Sequence, residues 1–208
     1  MLKKIWTFMA PVIVLITAYL SHATIDVIVA SGVGCIFVLG VAYGFAWTNL
    51  LGAALAAFYA YLSYHAGYYA NMVINGLIVV PMQIYAYFYW DKLGDLHCEM
   101  SRRGKLLMCS LVTSGIIVGS VITLLCGSQM WFHDAASSVL LISGTFMLMM
   151  KFKEQWFAWI PYNFLEVWMW FTAASIEPSI FAIFMMRLVF FINSLFGYHE
   201  WFVRSKEE

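Results

Sequence analysis

The chain has 208 residues, 63% hydrophobic and only 11% charged, with a formal net charge of zero. Soluble domains run nearer half apolar and a quarter charged, so this chain lacks the polar surface to enclose its apolar residues in water and belongs in a bilayer. Zero net charge, with the cations in short clusters, also excludes the broad basic field that nucleic-acid binding needs.

Residues 1–22 open with Lys3 and Lys4 ahead of an apolar centre, which suits a signal peptide or a first span. The many apolar segments that follow favour an uncleaved extra N-terminal helix. A crossing needs about 20 mostly apolar residues. Breaks at charged, glycine and proline positions predict eight, near 5–21, 24–43, 46–65, 69–90, 106–126, 131–150, 156–175 and 179–202. Lys92, Arg102, Arg103 and Lys105 follow the fourth, Lys151 and Lys153 the sixth, Arg204 and Lys206 the eighth. With Lys3 and Lys4 they all fall on one side, which the positive-inside tendency makes cytoplasmic. The expectation is a multi-pass protein of the cell inner (cytoplasmic) membrane with both termini in the cytoplasm.

An internal repeat emerges in the same order. FAWTNLLGAALAAFYAY from Phe45 is similar to FAWIPYNFLEVWMWF from Phe157, and AYFYW ending at Trp90 to GYHEW ending at Trp201. Trp47 and Trp90 are 43 residues apart, Trp159 and Trp201 42 apart. The fold class expected is therefore all-α integral membrane. Residues 23–90 form one three-helix repeat and 127–202 a parallel second, with a loop and linker helix over 91–126 and a tail at 203–208. Parallel repeats place a solute site at their interface.

The polar residues within the spans mark that site. Gln83, Asn163 and Asn193 each lie about 10–12 Å from the cytoplasmic end of their helix. Amides in lipid face a partner or a wet cavity, so this layer reads as a solute site or as glue between helices. Trp159 with Tyr162 beside Asn163 offers a wall for a flat ring. Tyr87 and Tyr198 lie one turn inward of the aromatic belt, to which Trp90 and Trp201 are assigned as anchors. Pro81 and Pro161 each remove a backbone donor and bend their helices. Glu166 and Arg187 come to similar depth on neighbouring antiparallel helices. They read as a buried ion pair, or Glu166 faces the cavity and attracts a cation. Asp26 and Asp134 lie at helix starts, where a carboxylate meets the positive helix end. His65, His133 and His199 show no metal spacing, and no cofactor is expected. No nucleophile–base pair supports an enzyme; an accessory membrane subunit without a solute site is the remaining alternative.

NGLIVVPMQIYAYFYW (75–90), DAASSVLLISGTFMLMMKFKEQWFAWIPYN (134–163) and RLVFFINSLFGYHEW (187–201) resemble the Pnu-type vitamin transporters, best known as nicotinamide riboside transporters. The most specific elements are EQWxxW followed by an intramembrane Asn, and the closing NxxxGYxxW. The resemblance implies a SWEET-like three-one-three helix plan with an extra first helix, and a homotrimer. It implies facilitated diffusion, made directional by a cytoplasmic kinase that phosphorylates the entering vitamin. Substrate contacts are implied at Gln83, Trp159, Asn163 and Asn193, and further ones at Asn75 and Trp156. Ala86, Glu166 and Arg187 depart from the pattern. Nicotinamide riboside and thiamine are both cationic aromatic solutes, which an aromatic cage alone does not separate.

Overall fold

The structure, a computed structural model, describes residues 2–65, 72–94, 97–127, 130–176 and 181–202. Arg204, Lys206 and the ends of the predicted fourth and eighth spans, 69–71 and 179–180, lie outside them. Among the described residues there are eight α-helices: α1 (Leu2–Leu20), α2 (Ile25–Tyr43), α3 (Thr48–His65), α4 (Val80–Leu93), α5 (Arg102–Leu125), α6 (Trp131–Met149), α7 (Trp156–Ile176) and α8 (Phe181–Phe202). A π-helical stretch, Ile74–Val79, runs directly into α4. α2, α5 and α6 are each long and apolar enough to cross a membrane on length and hydropathy alone. Several of the others trade aliphatic residues for aromatic and amide ones.

Six helices close into a ring in the order α2, α3, α4, α6, α7, α8 and back to α2, each packed on its two neighbours. Small residues permit the close seams. A Cβ at Gly34 would lie 2.8 Å from the Phe190 ring, so glycine there lets α2 lie against α8. α1 sits outside, on α2 and α8, through Ala10, Val14 and Ala18, which recur every fourth residue and are fully buried. Among the described helices, α5 packs only on α6. Gly115 and Gly119 form a GxxxG seam there, where added Cβ atoms would come 3.2 Å from Val139 and Ala135. The rest of α5 is an exposed apolar face, including Leu106, Leu111, Ile117, Val121 and Leu125, as a helix facing lipid requires.

The fourth span differs from the simple proline bend expected. The Val80 N–H bonds to the Asn75 carbonyl, an i to i+5 step. The π-turn widens the helix just before Pro81, whose ring and missing N–H a regular α-helix would have to absorb. Asp26 and Asp134 stand in the first turns of α2 and α6, at the positive helix ends.

The lysine-rich end of the ring is closed by tryptophans rather than edged by them. Trp90 and Trp201 are each 1% exposed, so the assignment of these two as interfacial anchors is corrected. The Trp90 indole donates to the Leu148 carbonyl at the end of α6, and the Trp201 indole to the Ala42 carbonyl at the end of α2, both at 2.9 Å. A helix end has spare carbonyls, and in a membrane an indole N–H left inside needs one. Each bond joins α4 or α8 to a helix from the other half of the chain. Trp156 completes the cluster edge-on to Trp201, with ring centroids 5.7 Å apart.

Candidate functional site

Gln83, Asn163 and Asn193 are all buried, at 3%, 6% and 1% exposure, in a molecule whose outer face is apolar. Gln83 projects from α4 against Gly52 of α3, where a Cβ would stand 2.9 Å from its amide carbon and oxygen and 2.6 Å from the Phe37 ring of α2. The next residue of α2, Val38, gives its carbonyl to the Asn193 side-chain amide of α8. One turn earlier on α8, the Phe190 carbonyl lies 3.5 Å from the Asn163 amide nitrogen of α7. Four ring helices thus bring three predicted amides and Gly52 into linked contact around the middle of α2.

These bonds engage the Asn163 and Asn193 amide nitrogens and leave oxygens over. Gln83 Oε1 and Asn193 Oδ1 have no hydrogen-bond partner among the described residues. A buried acceptor without a donor costs about 1–3 kcal/mol. That cost is recovered when a solute supplies the donor. The inter-helix glue reading accounts for the Asn163 and Asn193 nitrogens and not for these oxygens.

The aromatic wall is present. The Trp159 ring lies over Gly144 of α6, where a Cβ would be 3.2–3.3 Å from the indole. Its N–H donates to Gln155 Oε1 at 3.3 Å, and Tyr162 meets it edge-on with centroids 5.6 Å apart. Trp156 seats its ring on Gly197, and its buried indole N–H has no partner among the described residues. Asn75 lies apart from the amides, and Tyr87 stands one turn from Gln83 on α4. Asn75 is eight positions before Gln83, about 12 Å along the helix, in the π-turn. Tyr87 lines a half-open pocket of about 330 Å³ at the lysine-rich end with Phe45, Trp47, Trp90 and Asp91.

Glu166 and Arg187 meet as the ion-pair reading expects: Arg187 Nη2 lies 3.2 Å from Glu166 Oε2, and the Trp170 indole donates to the same oxygen at 3.3 Å. Glu166 is therefore already engaged between α7 and α8.

Two site residues escaped the sequence reading. Both are fully buried, and among the described residues Gln155 Nε2 and Asn49 Oδ1 have no partner. Gln155 lay within the EQWxxW motif and Asn49 within the repeated FAW segment. Neither stands at the depth used to choose the other amides.

Below the Trp cluster, the segment between α4 and α5 crosses to the one after α6. Cys98 N–H bonds to the Lys151 carbonyl and Lys153 N–H to the Cys98 carbonyl, both at 3.0 Å. His97 lies against Trp201 with centroids 3.9 Å apart. Lys151 is fully buried, donates to the Gly94 carbonyl and sits over the Trp90 face at 5.1 Å. Glu99 binds Lys153 at 2.6 Å and Lys105 at 2.9 Å, and Lys105 also pairs with Glu154 at 2.9 Å. These two lysines hold the Glu99 carboxyl down, to about 2.

A closed ring of apolar helices with half-satisfied amides and indoles inside it, and its deep charges already paired, is the build of an α-helical membrane transporter. The family follows from comparison. Residues 23–203 match the model described as nicotinamide mononucleotide transporter, and the chain belongs to that family of transporters, not to an enzyme family. It is 28% identical over 185 residues to the nicotinamide riboside transporter PnuC of Neisseria mucosa, covering 83% of this chain and 70% of that one. The PnuC of Haemophilus influenzae is 24% identical over 183 residues, 82% of this chain and 75% of its own. The crystal structure of the vitamin B3 transporter PnuC superposes with a TM-score of 0.81 at 24% identity, covering 99% of this chain and 92% of that one. That likeness establishes the fold.

Proposed function

We propose that the protein takes up nicotinamide riboside by facilitated diffusion. The observation that carries the reading is the pair of buried amide oxygens, Gln83 Oε1 and Asn193 Oδ1, left without donors inside the ring. A riboside brings hydroxyl and carboxamide N–H donors to such acceptors, and its pyridinium stacks on Trp159 for about 0.5–2 kcal/mol. The curated relatives named as nicotinamide riboside transporters support this substrate.

The working unit is two parallel three-helix repeats, 23–90 and 127–202, in a SWEET-like plan, joined by 91–126 and preceded by the helix of residues 1–22. The reciprocal bonds of Trp90 to Leu148 and Trp201 to Ala42 support that pseudo-symmetry. One repeat rocks against the other about the amides, with one gate open at a time. The lysine-rich end with both termini faces the cytoplasm of an inner membrane. A cytoplasmic kinase traps the product by phosphorylation, and the assembly is a homotrimer.

Calorimetry of nicotinamide riboside and thiamine against the purified full chain tests the substrate. Saturable riboside binding, lost in Gln83→Leu and Asn163→Leu with an unchanged melting temperature, is the expected result. Binding of thiamine alone moves the substrate within the same class. Unchanged uptake in both variants would instead make the protein an accessory subunit.

A further inference from the structure

The amides chosen by depth come from α4, α7 and α8, and leave α3 with no polar part in the site. The structure supplies one. Asn49, in the first turn of α3, is fully buried. Its Nδ2 donates to the Ala46 carbonyl at 3.1 Å, a carbonyl that already takes the Asn49 backbone N–H at 3.0 Å. The side-chain bond is therefore redundant for the turn. The side-chain oxygen points away from that carbonyl and has no partner among the described residues. Three residues further on, on the same face of α3, Gly52 lies against the Gln83 amide. Asn49 is thus one short step, about 4.5 Å along the axis, from the Gln83 level toward the Trp cluster.

We propose that Asn49 is a substrate-contacting, specificity-determining residue, whose Oδ1 accepts one donor of the nicotinamide riboside molecule on the exit side of Gln83. This rests on the carrier reading above. Together Asn49, Gln83 and Asn193 present three acceptor oxygens, a set that selects solutes by the number and placement of their N–H and O–H groups. A site built to take a hydroxyl or amide donor discriminates strongly against the analogue that lacks it.

The test is calorimetry on the purified full chain with nicotinamide riboside, its 2′-, 3′- and 5′-deoxy analogues and its N,N-dimethyl carboxamide. Riboside binding by the native chain and its loss in Gln83→Leu establish the parent reading; absence of both overturns that reading on its own. Given riboside binding, Asn49→Ala weakens it about tenfold, the cost of an unmet donor. One analogue then binds the native chain and Asn49→Ala equally, which identifies the donor. Asn49→Asp keeps an acceptor while losing the bond to Ala46, and retains riboside binding. Equal losses for every ligand in Asn49→Ala, or an Asn49→Asp as weak as Asn49→Ala, would show a merely structural asparagine. So would native affinity in Asn49→Ala.

Discussion

Two tryptophans separate hydrophobic character from location. Trp90 and Trp201 stand at helix ends, where composition places an aromatic belt, yet both are buried and spend their indole N–H on the carbonyls of Leu148 and Ala42. Trp47, also at a helix end, is 51% exposed and fits the belt. Phenylalanine at position 201 keeps most of the ring volume and takes the indole donor from the Ala42 carbonyl, whereas at position 90 the Leu148 carbonyl still accepts the Lys151 N–H at 2.8 Å. Trp201→Phe is expected to cost about 1–3 kcal/mol, read as a lowered melting temperature in detergent, and Trp90→Phe less, while Trp47→Phe changes little. At the same scale, Glu166 and Arg187 compensate each other. Removing either leaves a buried charge unpaired, whereas the pair is close to neutral toward the bundle.

At the scale of elements, the α4–α5 and α6–α7 connections behave as one unit under the Trp cluster. Backbone bonds through Cys98 and the pairs of Glu99 with Lys153 and Lys105 tie them together. Glu99 has a native pKa held near 2, below its ordinary 4.5. Its contribution is therefore complete above the ordinary value, declines as pH falls through it, and is gone as pH falls through the native value. Because Glu99 is exposed, salt screens the effect. Melting temperatures of the native chain and Glu99→Gln are expected to differ at pH 6 and low salt. They converge as the pH falls to about 2 or the salt rises. A gap undiminished at that pH would remove the carboxylate from the explanation.

At the scale of the molecule, the ring closes because the first helix of each half of the chain packs on the last helix of the other: α2 on α8 and α6 on α4. The interior so enclosed is rich in acceptors and has its charges engaged. Arg187 is held by Glu166 and Lys151 by the Gly94 carbonyl and Trp90, and outside the ring, at its lysine-rich end, Lys105 and Lys153 are held by Glu99. A phosphate dianion brought among these amide oxygens meets acceptors where it needs donors, at a steep desolvation cost. Cells expressing the protein are expected to take up labelled nicotinamide riboside and to exclude the mononucleotide. Uptake of the mononucleotide at a comparable rate would show that the ring opens a cation to the solute.

Sequence alone determined the bilayer, the eight helices, close to their described ends except where a π-helical stretch precedes α4, and the buried amides. Each of these follows from local composition: run length, breakers and the cost of a polar group in lipid. It also brought Glu166 and Arg187 together, since depth on adjacent antiparallel helices is simple arithmetic. Only the tertiary structure decided which polar atoms stay unsatisfied. Among the described residues Gln83, Asn193 and Asn49 keep free oxygens, and for the two asparagines the nitrogen is the atom that meets a carbonyl. It also decided that Trp90 and Trp201 turn inward. Those outcomes depend on the rotation of each helix about its axis, which is set by the neighbours it packs against and leaves little trace in the order of its own residues.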